Sequence, residues 1–79
     1  MAGTGWRVIS VSSVTDVLLV IVETDRLDDI EKIARDVVSP AAADHLEALV
    51  YFHRPGAAGA TARVQWTPRG GYVPLRFAE

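Results

Sequence analysis

The chain contains no cysteine, a single lysine and no apolar run longer than six residues. Each shortage excludes something. Without cysteine there is no disulfide to brace a small domain and no thiolate to hold a metal. A cysteine-free composition fits a reducing compartment, so a cytoplasmic protein is expected. The longest apolar stretch, Val17 to Val22, is far short of the ~20 residues that a membrane-spanning helix needs, and no membrane partner is expected. Met1 to Arg7 lacks the apolar core and small-residue cleavage site of a secretion signal. Seven of the eight basic residues are arginine, Lys32 being the exception; with abundant Ala, Val and Gly this usage suggests a high-GC bacterial genome. Chemical signatures are missing too. There is no G-x-S-x-G elbow and no Walker sequence, and Gly3 and Gly5 lack the strand before and helix after that a dinucleotide fingerprint requires.

The 79 residues make one small domain, 1–79. A domain of this size buries only somewhat more than about 60% of its extended-chain surface, so its core is marginal without help from packing or a partner. Yet 49% of the residues are hydrophobic and the mean hydropathy is +0.18, apolar for a chain with so much surface per volume.

The clearest element is an amphipathic helix predicted over Thr24 to Val38. Thr24 is placed to cap it, and Asp25, Asp28 and Asp29 suit the positive end of the dipole. Leu27, Ile30, Ile33, Ala34, Val37 and Val38 then recur at helical spacing and form a stripe that packs on a sheet. Asp28–Lys32 and Glu31–Arg35 are acid-first i,i+4 pairs on the solvated side. Ser39-Pro40 ends the helix, and one further helical turn is expected near 40–44.

Strands are predicted over Trp6–Ser12, from Asp16 or Val17 to Glu23, from about Leu46 to His53, over Thr61–Thr67 and over Tyr72–Phe77. Turn chemistry lies at Ser12-Ser13, Thr15-Asp16 and Pro68 to Gly71, and Arg54 to Ala60 is a glycine-rich loop. The order ββαβββ implies a two-layer α+β sandwich, a five-stranded, mainly antiparallel sheet with one principal helix on one face. Either the strands at 17–23 and 46–53 pair in parallel through the helix crossover, or the first strand inserts between them. Those two strands are apolar on both faces and belong in the sheet centre. Pro74 marks the last strand as an edge. In the last hairpin, bringing Val64 and Trp66 onto one face with Val73, Leu75 and Phe77 requires Thr67 opposite Tyr72, or Arg69 opposite Tyr72. A three-residue loop with Gly71 opposite Thr67 sends the second set to the other face, and the pattern excludes it.

Candidate chemistry is sparse. His45 and His53 stand at opposite ends of one strand, roughly 26 Å apart, too far to share a metal. Glu23, Asp25, Asp28 and Asp29 fit a helix start better than acid–base chemistry or a cation loop. Ser10, Ser12, Ser13 and Ser39 have no partner placed by the sequence, and the adjacency of Asp44 and His45 defines no triad. No catalytic residue, metal or cofactor is therefore expected. Charge is distributed unevenly. Residues 1–50 hold four basic and nine acidic groups, whereas 51–79 hold Arg54, Arg63, Arg69 and Arg76 against Glu79. In the expected registers Arg63, Gln65, Thr67, Tyr72 and Arg76 lie together opposite the apolar side of the last hairpin, with Arg76 facing Arg63 or Gln65. Arg63, Gln65, Tyr72 and Arg76 are the candidate contacts for an anion or a partner. With a pI near 5.6, nucleic acid is not the expected partner; an acidic protein surface is.

One helix covers one sheet face, which leaves the apolar side chains of the other exposed. The expectation is a non-enzymatic interaction module, a homo-oligomer assembled through that face. The alternatives are a small-ligand binder or small enzyme with a pocket at the subunit interface, lined by Tyr51, Trp66 or Tyr72, and a component of a larger complex.

Overall fold

The computed structural model describes residues 2–3 and 5–77; Met1, Thr4, Ala78 and Glu79, the acid in the C-terminal charge count, lie outside the described residues. Six strands lie side by side in chain order: β1 (Ala2–Gly3), β2 (Trp6–Val14), β3 (Val17–Thr24), β4 (Glu47–His53), β5 (Ala60–Thr67) and β6 (Gly71–Arg76). The two-residue β1 meets β2 only at Arg7 and Trp6, so β2 to β6 form the body of the sheet. One α-helix, α1 (Ile30–Val38), packs over β4, β5 and β6. Within that five-stranded body the order is ββαβββ, and the protein is an α+β two-layer sandwich. Neighbouring strands are antiparallel except β3 and β4. Those two are parallel because the segment between them carries the helix back across the sheet.

Alternation sorts the side chains. In β3, Leu18, Val20, Val22 and Thr24 are buried on the helix side of the sheet, while Val17, Leu19, Ile21 and Glu23 point to the other side and are partly exposed. β4 repeats this with Ala48, Val50 and Phe52 inside. Ile30, Ile33, Ala34, Val37 and Val38 close the core from above, so the predicted stripe is the buried face of the helix.

The helix starts later than Thr24. Thr24 ends β3, 1% exposed, and its Oγ1 donates to the Gly5 carbonyl at 2.8 Å and accepts from the Arg26 N–H at 2.9 Å. Pairing with Trp6 holds it in the sheet, so its hydroxyl makes a turn rather than a helix cap. A short 3₁₀ turn, Leu27–Asp29, then leads into α1, and no side chain caps either start. After Val38 the chain tightens into a second 3₁₀ segment, Ser39–Asp44, where one turn was expected.

The first hairpin is also tighter than the polar residues suggest. Ser12 and Ser13 belong to β2, Val14 pairs with Val17, and only Thr15 and Asp16 turn. Thr15 has φ +55, a strained value for a β-branched residue. A bulge after Val8 shifts the register, so that Ser10 faces Ile21.

The last hairpin corrects the sequence reading. Gly71 lies opposite Thr67, Arg63 opposite Leu75 and Gln65 opposite Val73. This is the three-residue loop that hydrophobic patterning excludes. The turn decides: Gly71 takes φ +67, open to glycine at little cost, and the Thr67 Oγ1 accepts the Gly70 N–H at 2.9 Å. Val73, Leu75 and Phe77 consequently leave the helix side, at 51%, 45% and 37% exposure.

Candidate interaction surface

The sheet face away from α1 is a grid set by the strand registers. Across β3, β4, β5 and β6, one row reads Leu19, Leu49, Gln65, Val73 and the next reads Ile21, Tyr51, Arg63, Leu75. A third row, Val17, Glu47 and Thr67, lies before these, and Glu23 and His53 lie beyond. β2 adds Arg7, Ser10, Ser12 and Val14 at the side. The middle of the face is thus an apolar block with two polar residues, Gln65 and Arg63, set between it and β6.

Those two differ in one respect. The Gln65 Nε2 donates to the Glu47 Oε2 at 2.6 Å. The Arg63 Nε is buried and has no hydrogen-bond acceptor among the described residues. A guanidinium N–H shut away from water without an acceptor is costly, and a carboxylate suits it. At the edge of the face the Arg7 Nε and Glu23 Oε1 form an ion pair at 3.0 Å.

The four candidate contact residues do not share a surface. Arg63 and Gln65 lie on the open face. Tyr72 and Arg76 lie on the helix side, since Tyr72 pairs with Trp66 and Arg76 with Ala62. There the Arg35 guanidinium sits 4.5 Å from the Tyr72 ring centroid, and Trp66 tilts against the same ring at 6.4 Å. The Arg76 Nη2 donates to the Leu27 carbonyl at 2.6 Å and ties β6 to the helix entrance. Of the aromatics considered for an interface pocket, only Tyr51 faces outward from the open side.

The crossover brings together a pair that sequence reasoning missed. The Ser13 Oγ lies 2.9 Å from the His45 Nε2, and the His45 Nδ1 lies 2.8 Å from the Ala41 carbonyl oxygen. A carbonyl can only accept, so Nδ1 carries the proton, and in the neutral ring Nε2 accepts the Ser13 hydroxyl proton. The pair pins the β2–β3 hairpin to the segment leading into β4. It lies at the opposite end of the sheet from a shallow pocket of about 370 Å³ beside Trp6, Glu23 and Pro55. No local motif could have signalled a contact 32 residues apart. Elsewhere in the acidic run Asp29 pairs with Arg26 at 3.1 Å.

Comparisons with family models, curated proteins and solved structures give no match to this chain. Among the described residues, no helix is long and apolar enough to cross a membrane.

Proposed function

We propose that the protein is a non-enzymatic interaction module that self-associates through its open sheet face. The supporting observation is the uncovered block of Leu19, Ile21, Leu49 and Tyr51, flanked by Val73 and Leu75 at about half exposure. Five strands about 4.8 Å apart and seven residues of about 3.3 Å make a face that buries on the order of 1,000 Å² when two copies meet. That is the low end for a specific contact and points to a dimer that exchanges at micromolar concentration. A cytoplasmic setting and a bacterial source belong to the same reading, on the strength of the missing cysteine and the arginine-rich composition.

Light scattering coupled to size exclusion, at tens of micromolar, is the test. The expected mass is twice the 8.6 kDa of one chain, and Leu49→Asp returns it to one chain with an unchanged far-UV circular dichroism spectrum. A wild-type monomer defeats the proposal.

One observation favours a second mode of assembly. Beyond the reach of β1, the outer edge of β2 has no strand partner among the described residues, and Ile9, Val11 and Val14 are 50–60% exposed there. β6 carries Pro74 at its edge, but residues 8–14 hold neither proline nor charge, so this edge can add a strand. If Val11→Lys rather than Leu49→Asp dissociates the dimer, edge pairing replaces face packing.

A further inference from the structure

We infer that in the face-packed dimer Arg63 of each copy pairs with Glu47 of the other, an inference that rests on the self-association proposed above. The starting point is Arg63, partly exposed on the open face, with its Nε closed to solvent and without an acceptor among the described residues, so that a carboxylate arriving from outside meets the terminal guanidinium nitrogens. A second copy supplies acceptors from the same face, where the carboxylates among the described residues are Glu23 and Glu47. A two-fold contact is reciprocal, so whichever carboxylate meets Arg63 does so twice.

Geometry separates the two. Glu47 lies one strand over from Arg63 and four residues along, about 5 Å across and 13 Å along the strands. A two-fold axis between the sheets must bisect that line. It then passes between Leu49 and Gln65, and the strands of the two copies cross at about 40°, close to the roughly 30° of aligned sheet packing. Glu23 lies two strands over and about one side-chain row along, which forces a crossing near 70°, between the aligned and orthogonal classes. Glu23 is also held by Arg7. Glu47 is held through Oε2 alone, by Gln65, which leaves Oε1 for the partner. The same axis brings the Leu49 row of one copy onto its own equivalent.

The test uses two charge reversals in the full chain, R63E and E47R, with dimer dissociation constants from sedimentation equilibrium and circular dichroism as the folding control. Each variant alone sets like charges against each other twice, and its dimer weakens on the order of thirtyfold or more. Mixed in equal amounts, the two variants form a heterodimer in which both contacts again join opposite charges. At one contact the two substituted side chains meet, and at the other the native Glu47 of the R63E copy meets the native Arg63 of the E47R copy. Association therefore returns. The double variant R63E/E47R also dimerises on its own. Single variants that dimerise like wild type, or a mixture that stays monomeric, overturn the Arg63–Glu47 pairing. In either case, a wild-type dimer that Leu49→Asp dissociates leaves the face-packing proposal standing.

Discussion

At the scale of single residues, Thr24 carries more of the structure than its type suggests. Its hydroxyl serves two backbone groups at a buried corner, the Gly5 carbonyl and the Arg26 N–H. Thr24→Val keeps the shape and removes both partners, leaving a donor and an acceptor unmet. A loss of about 1–3 kcal/mol is expected in urea denaturation, while Thr24→Ser retains most of the stability. If Thr24→Val matches wild type, water replaces the hydroxyl without cost. Sequence singled out Thr24 but for the wrong task, because capping propensity is local and the pairing with Trp6 is not. Arg63 shows a related limit. Its type marked it as a contact residue, but its place on the open face between Tyr51 and Leu75 is set only by strand pairing.

At the scale of elements, turns outweigh hydrophobic patterning. Gly71 at φ +67 fixes the last hairpin, so Gly71→Ala should cost about 1–2 kcal/mol through the left-handed backbone alone. Nothing stands within 4 Å of a methyl group there, so a loss of stability reads out the backbone rather than a clash. The first hairpin offers the opposite experiment. Thr15 holds φ +55 with a branched side chain, and Thr15→Asn should gain about 0.5–1 kcal/mol because asparagine tolerates that region. Thermal unfolding of both variants checks the pair; a destabilised Thr15→Asn would mean that the threonine side chain makes a compensating contact. The long elements were legible because their periodicity spans many residues. The first strand runs past the predicted end at Ser12, because the polarity of Ser13 resembles loop whereas in β2 Ser13 is an exposed strand residue that meets His45.

At the scale of the whole molecule, stability and assembly are linked. A chain of 79 residues with one helix over one face has a small core and an apolar face left uncovered. If copies cover that face for one another, unfolding also dissociates them, and the melting temperature rises with concentration. Each tenfold increase in protein should raise it by a few degrees, given roughly 4–8 °C per kcal/mol for a domain of this size. Calorimetry between about 10 and 1,000 µM tests this linkage. A constant melting temperature, together with the same value for Leu49→Asp, would mean that the face stays in water and the monomer core suffices.

The sequence alone determined the ββαβββ order, the buried stripe Ile30–Val38, the central place of the strands at 17–23 and 46–53, and the edge position of the strand with Pro74. These follow from periodicity and from backbone chemistry that each residue carries with it. Only the tertiary structure decided the parallel pairing of β3 with β4, the contact of Ser13 with His45, and the division of Arg63 and Gln65 from Tyr72 and Arg76. Each depends on which strands become neighbours and in which register. A shift of one residue in a single hairpin moves every side chain of that strand to the other face, and here it moved a candidate site apart.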